Sequence, residues 1–249
     1  MDWGSLAGLL LGLTVIIFGQ WIEGGELGSL LQPVALVIVL GGTLGAVLLQ
    51  NGLENLLRGV RLLRNAFMPQ ADFYLDVMET VIIWSTTARM EGFVNLERHI
   101  DAELDPFIAK GLRLVVDGTD QHKIRDILDI DISSYEREQR LVIKVWEAAG
   151  GYAPTIGILG AVLGLIHVME NLTDPLSLGK GIAVAFVSTI YGVGFANLVF
   201  LPIANKLKRH LQLEILKREM LADAFLCIKQ GENSNLIRER MSSYWHQER

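Results

Sequence analysis

Four runs of apolar residues divide the chain, and polar stretches separate each run from the next. The runs cover residues 6–21, 30–49, 150–169 and 181–204, and the last two contain no Asp, Glu, Lys or Arg. A helix of about 20 apolar residues crosses the hydrocarbon core of a bilayer. The pattern therefore predicts an all-α membrane protein with four transmembrane helices.

The long polar stretch between the second and third runs, residues 51–147, has apolar positions at helical spacing. The pattern over residues 71–89 predicts one helix, which Gly92 breaks or caps. Pro106 begins a second helix, which stops at Gly118. This stretch is therefore predicted to be a helical domain.

Two longer helices are predicted to extend beyond the membrane runs. Ser133 and Glu136 have the spacing of a capping box, which predicts the start of a helix that continues to about Met169. After Pro202 the helical period persists to about Gln230, so the fourth run also continues into a polar amphipathic helix.

The basic residues indicate the orientation of the chain. Of the 22 Lys and Arg residues, 12 lie between Arg58 and Lys144, nine lie from Lys206 onward, and one is Lys180. Cytoplasmic segments carry an excess of Lys and Arg, so both termini are predicted to be cytoplasmic. The predicted domains are transmembrane helices 1 and 2 in residues 1–50, a cytoplasmic helical domain in 51–147, transmembrane helices 3 and 4 in 148–205, and a cytoplasmic helix and tail in 206–249.

The composition and motifs argue against an enzyme. The chain is 51% hydrophobic and 20% charged, which is typical of a membrane protein with a water-exposed part. It contains no phosphate-binding loop, no nucleophile elbow and no Cys/His cluster, so no cofactor or metal is expected. The net charge of −6 gives no indication of nucleic-acid binding.

Polar residues and prolines within the third and fourth runs are the candidates for function. They are Pro154, Thr155, Ser188, Thr189, Tyr191, Asn197 and Pro202. The polar side chains either hydrogen-bond between helices or line an ion path, and the residues alone leave both alternatives open. The prolines remove a backbone hydrogen bond and can act as hinges.

Four motifs carry a family resemblance. They are VLGGTLGA in the second run, ARMEGFVNLE from Ala88, APTIGILGAVLG from Ala153 and STIYGVGFANLVFLPIANKL from Ser188. Together they resemble the MotA/PomA family of flagellar stator subunits, and the resemblance covers the whole chain in order.

The resemblance implies roles for particular residues. Pro154 and Pro202 match the prolines that couple ion passage to movement of the cytoplasmic part. The residues implied on the ion path are Ala161, Thr189, Thr155 and Tyr191. The residues implied at the contact with the rotor protein FliG are Arg89, Glu97 and Arg98. Without the resemblance, these three charges would be read as ordinary solvated residues.

The family also implies an assembly in the bacterial inner membrane. Five copies of the chain form a ring around two helices of a MotB/PomB-type partner, which has a single span with one essential Asp. A proton needs a titratable relay to cross a bilayer, and the four runs contain no carboxylate. The relay is therefore expected to come from that partner.

Ala161 bears on the transported ion. Sodium-driven members of the family carry a threonine here, and alanine has no side-chain oxygen to replace a water ligand of Na⁺. The proton is therefore the expected ion, with sodium as the alternative.

Two other functions remain as alternatives. An energy transducer of the ExbB/TolQ kind also surrounds a partner helix, although those proteins usually have three spans. A non-conducting membrane scaffold would use the glycine-rich helices only for oligomerisation.

Overall fold

The computed structural model describes residues 3–25, 27–66, 73–103, 105–173 and 175–245. Every element in these residues is helical. The α-helices are α1 (Trp3–Ile22), α2 (Pro33–Ala66), α3 (Phe73–Glu91), α4 (Glu97–Ala102), α5 (Pro106–Val116), α6 (Gln121–Glu170), α7 (Pro175–Phe195), α8 (Leu201–Lys229) and α9 (Ser234–Trp245). Short 3₁₀ turns cover Leu27–Leu30 and Phe93–Leu96, and a π turn at Ala196–Phe200 joins α7 to α8.

Three stretches within the described residues are long and apolar enough to cross a membrane: Gly28–Leu63, Gln121–Glu170 and Leu178–Lys229. The apolar part of α1, Ala7–Ile22, is shorter than these three. The prediction of an all-α protein with membrane-capable helices is therefore confirmed.

Most predicted helix boundaries are close to the observed ones. Helix α3 covers the predicted 71–89 helix, whose first two residues lie outside the described part of the chain. Gly92 follows α3 with φ 88°, which glycine adopts without strain. Pro106 is the first residue of α5, and the Asp105 side chain accepts a hydrogen bond from the Phe107 amide.

The predicted start of the long sixth helix at Ser133 was wrong. Helix α6 begins at Gln121, and Asp120 Oδ1 accepts a hydrogen bond from the His122 amide at 3.0 Å. Asp120 therefore caps the helix, and Ser133 lies in its interior. The 50 residues of α6 correspond to about 75 Å at 1.5 Å per residue.

The chain divides into two compact units. The first contains Met1–Pro69 and Arg140–Arg209, and the second contains Gln70–Gln139 and His210–Arg249.

Close backbone contact between α6 and α7 organises the first unit. Glycines of α6 face small residues of α7 in three places: Gly157 with Gly192, Gly160 with Ser188, and Gly164 with Gly181. We call this contact the glycine seam. A Cβ atom on Gly192 would lie 2.5 Å from the Ala153 carbonyl oxygen and 3.0 Å from Gly157 Cα. Only small residues allow two membrane helices to approach so closely.

Helix α2 packs against the same pair of helices. A Cβ atom on Gly42 would lie 2.7 Å from Ile156 Cγ2 in α6, and one on Gly59 would lie 3.3 Å from Val145. The Trp146 indole donates a hydrogen bond to the Gly59 carbonyl oxygen at 3.0 Å. Between these contacts, Gly52 has φ 73° and interrupts the helical geometry of α2.

The second unit has an apolar core built around Phe225 of α8. The Phe225 ring stacks on Trp84 of α3 with 5.9 Å between centroids, and both side chains are buried. Gly111 of α5 leaves room for this ring, because a Cβ atom there would lie 2.1 Å from Phe225 Cε2. Burial in this core raises the pKa of the Cys227 thiol to about 12.

The glycine seam predicts a contrast between two glycines of α7. The change Gly192→Ala pushes a methyl group into the backbone of α6 and should destabilise the first unit by about 1–3 kcal/mol. Gly194 has nothing within 4 Å of its Cβ position, so Gly194→Ala should be neutral or stabilising by up to about 1 kcal/mol. Thermal unfolding of the detergent-solubilised variants measures the difference, and equal melting temperatures would contradict a tight seam.

Candidate functional site

The two sides of the glycine seam carry different residues. Helices α6 and α7 are antiparallel here, because facing residue numbers rise along one helix and fall along the other. Successive residues of a helix are rotated by about 100°. In an antiparallel pair, the residues that follow two facing residues therefore turn to the same side of the contact, and those that precede them turn to the other.

Ala161 and Thr189 lie on the same side of the seam. Ala161 follows Gly160, Thr189 follows Ser188, and Gly160 and Ser188 face each other. Ala161 and Thr189 are both half-buried. Pro154 precedes Ala161 by seven residues, or about two helical turns, and so lies on the same side. We call this the Ala161 side.

The opposite side of the seam is covered by α2. Ile156 and Tyr191 precede the facing residues Gly157 and Gly192, and Ile156 contacts Gly42 of α2. The Tyr191 hydroxyl donates a hydrogen bond to the Leu30 carbonyl oxygen at 2.5 Å. Tyr191 therefore ties α7 to the segment that precedes α2.

Three other candidate polar residues, Thr155, Ser188 and Asn197, hydrogen-bond within their own helices. The fully buried Ser188 hydroxyl donates to the Val184 carbonyl oxygen at 2.7 Å, and the exposed Thr155 hydroxyl donates to the Tyr152 carbonyl oxygen at 2.8 Å. The Asn197 amide donates to the Val193 carbonyl oxygen at 3.0 Å. Of the four residues predicted for the ion path, Ala161 and Thr189 thus lie on one side of the seam, and Thr155 and Tyr191 lie elsewhere.

The two prolines sit at different kinds of helix irregularity. Pro154 lies within α6, where it has no N–H to donate to the Gly150 carbonyl oxygen. Pro202 is the second residue of α8 and lies two residues after the end of the π turn. A proline ring clashes with the carbonyl four residues earlier, which for Pro202 is that of Leu198 in the π turn. The wider π turn accommodates this clash, and such turns are frequent at functional sites.

The π turn and a buried hydroxyl were not anticipated from the sequence. Pro202 was the available signal for a local change in the helix, although it does not specify a π turn. Thr43, in the VLGGTLGA motif, is 2% exposed, and its Oγ1 has no hydrogen-bond partner among the described residues. The motif reveals no special role for that hydroxyl, because threonine is common in membrane helices.

The predicted rotor-facing charges lie in one short turn, Arg89–Arg98, which we call the Arg89 turn. Arg89, Glu97 and Arg98 are all exposed. Arg98 forms an ion pair with Glu91 at 3.1 Å. Buried Ala88 and Leu96 anchor the turn to the core of the second unit.

The exposed surface of the Arg89 turn also includes apolar side chains. Met90 is 81% exposed and Val94 is 69% exposed. Charged residues flank both, so the turn exposes apolar and charged side chains next to each other.

Comparisons with known proteins identify the family. The model of the MotA/TolQ/ExbB proton channel family matches residues 99–220, and that of the Motility protein A N-terminal region matches residues 6–92. Motility protein A of Aquifex aeolicus is 31% identical over 241 residues, which cover 96% of this chain and 94% of the relative. The chain belongs to the MotA family. A further relative is Chemotaxis protein PomA of Vibrio alginolyticus, which is 32% identical over 98% of this chain and 95% of the PomA chain.

A solved structure agrees with membership of the MotA family. The flagellar MotAB stator complex from Bacillus subtilis contains a chain that is 30% identical and superimposes with a TM-score of 0.86. The match covers 94% of this chain and 92% of that one. The resemblance drawn from four sequence motifs is therefore confirmed. The Motility protein A N-terminal match favours a MotA-type protein over the ExbB/TolQ alternative.

Proposed function

We propose that this chain, a stator subunit of the bacterial flagellar motor, forms a proton pathway with a MotB-type partner on the Ala161 side of the glycine seam. The observation that carries the proposal is the contact of Gly160 with Ser188, which turns the following residues, Ala161 and Thr189, to the side opposite α2. The resemblance implied that both residues lie on the ion path, and the antiparallel contact of α6 and α7 accounts for their placement on one side of the seam.

The chemistry requires a partner. The third and fourth apolar runs have no Asp, Glu, Lys or Arg between Gly150 and Met169 or between Gly181 and Ala204. Proton transfer across a bilayer needs a titratable group, which is costly to bury unless it is paired or neutralised. An Asp on the partner's single span would supply it, with Thr189 offering a hydroxyl and Ala161 leaving space beside it.

Protonation of such an Asp removes a charge that a low-dielectric environment disfavours, and deprotonation restores it. This cycle would change how the partner helix packs against the Ala161 side. Pro154 lies on that side and Pro202 follows the π turn, so both are placed where a helix bends with least loss of backbone hydrogen bonds.

The assembly we propose is a ring of five copies around two partner helices in the bacterial inner membrane. Helix α1 would cross the membrane in addition to the three longer stretches, which gives four spans, and both termini would be cytoplasmic. The glycine content of the spans and the excess of Lys and Arg outside them support this arrangement. The chain would act without a cofactor and without catalysing a reaction.

Disulfide crosslinking tests the position of the pathway. Ala161→Cys and Thr189→Cys should each crosslink to a cysteine placed next to the membrane Asp of the partner, since a disulfide needs Cα atoms within about 7 Å. Thr155→Cys is the matched control, because it lies on α6 away from the Ala161 side and should not crosslink. Crosslinking of Thr155→Cys in preference to the other two would overturn the assignment.

The ion type is tested at a single position. We propose protons, because Ala161 provides no oxygen ligand for sodium. Ala161→Thr should make swimming depend partly on the sodium gradient in a deletion strain complemented with the variant. Swimming speed is measured while the proton and sodium gradients are collapsed separately. An unchanged dependence on both gradients would remove Ala161 as a determinant of the ion.

The Arg89 turn is proposed to contact FliG in the rotor. The double reversal Arg89→Glu and Glu97→Lys should reduce swimming strongly while ion leakage through the assembled stator persists, because both charges lie outside the four apolar runs. Reversal of Arg113, an exposed charge on α5 outside the turn, is the control and should preserve swimming. Normal torque in the double reversal would contradict electrostatic contact at this turn.

A further inference from the structure

A groove of about 350 Å³ opens between α1 and the junction of α7 with α8. Its walls include Gly8 and Leu9 of α1, Leu198 of the π turn, and Pro202, Ile203 and Lys206 of α8. The groove lies within the first unit, and none of Pro154, Ala161 and Thr189 lines it.

Two glycines of α1 explain why the groove opens where it does. A Cβ atom on Gly12 would lie 3.0 Å from Leu198 Cδ2, so α1 touches the π turn at that level. One turn earlier, the Cβ position of Gly8 has nothing within 4 Å. The helices are therefore in contact at Gly12 and leave free space at Gly8, on the side toward the start of α1.

The groove changes character at the end of the fourth span. Leu9, Leu198 and Ile203 make its walls largely apolar, in keeping with a span that contains no charge between Gly181 and Ala204. Lys206 is the first cation after that span and also lines the groove. An apolar slot that ends at a lysine matches an acyl chain joined to an anionic headgroup.

We propose that this groove binds an anionic phospholipid. Lys206 holds the headgroup phosphate, and the acyl chain lies along Leu9, Leu198 and Ile203. Basic pockets between membrane helices on the cytoplasmic side are suited to such headgroups. The inference depends on the chain spanning a membrane and is independent of the ion path and of rotor contact.

The lipid would also contact the coupling region. Pro202 forms part of the groove wall, so an acyl chain would pack directly against the residue that follows the π turn. A bound lipid would then change the packing around Pro202, where we propose that the helix bends as the partner Asp is protonated and deprotonated.

Native mass spectrometry of the full chain, purified with its MotB-type partner, tests the proposal. Phosphatidylglycerol and phosphatidylcholine are titrated separately, and the bound lipids are counted. Lys206→Gln should weaken phosphatidylglycerol binding about five-fold, the equivalent of about 1 kcal/mol for one lysine near a membrane surface, with little effect on phosphatidylcholine. Lys206→Arg should retain the preference.

Arg209→Gln is the matched control, because Arg209 is an exposed cation three residues later and outside the groove. An equal loss in Arg209→Gln and Lys206→Gln would indicate general surface attraction and overturn the proposal. Soluble glycerol phosphate should not displace the lipid, because it has no acyl chain. Displacement by glycerol phosphate at the same concentration as lipid would show a phosphate site and likewise overturn it.

Gly8→Leu fills the groove and should reduce binding of both lipids, and the open space at Gly8 favours its folding. A smaller assembly with unchanged lipid binding would mean that another copy of the chain occupies the groove, which contradicts the proposal. If Gly8→Leu fails to fold, the comparison of Lys206→Gln with Arg209→Gln decides the question.

Discussion

Backbone-to-backbone contact between α6 and α7 is the constraint on which the membrane part depends. Lipid tails are as apolar as leucine, so two membrane helices gain little from burying apolar side chains against each other. They gain from dispersion over a long, close interface, and the glycines of the seam make that interface possible. The seam also fixes the rotation of each helix, since any turn about the axis would bring a larger side chain into the contact.

That fixed rotation gives the candidate site its geometry. Ala161 and Thr189 share one side because each follows a residue of the seam, and Tyr191 faces α2 because it precedes the seam residue Gly192. A site built on the residues adjacent to a close-packed contact is held as rigidly as the contact itself. One side of the seam therefore packs against α2, and the other is the side that we assign to the partner helix.

Much of the fold follows from the sequence, because membrane length and helical period are strong signals. The apolar runs, the start of α5 at Pro106 and the break at Gly92 were all predicted at or near their observed positions. The capping box at Ser133 was misleading, since the same spacing of Ser and Glu occurs inside helices, where tertiary packing decides the outcome. The observed cap is Asp120, whose side chain accepts a hydrogen bond from the His122 amide.

The site was less predictable than the fold. The sequence alone left Thr155, Thr189 and Tyr191 equivalent, as polar residues in apolar runs, and only the pairing of the two helices separates them by side. The π turn was unpredictable for a related reason. It depends on how the chain relieves the clash of Pro202 with an earlier carbonyl, and a kink or a lost hydrogen bond would serve equally well.

The burial of Cys227 has a practical meaning for work on this protein. The chain has one native thiol, it is 1% exposed, and burial holds its pKa at about 12, so almost none of it is thiolate near neutral pH. A cysteine introduced at the surface would therefore react with thiol reagents in preference to Cys227, so Cys227 need not be replaced first. The same thiol reports on the second unit from within, because it becomes accessible to reagents only when the packing around Phe225 opens.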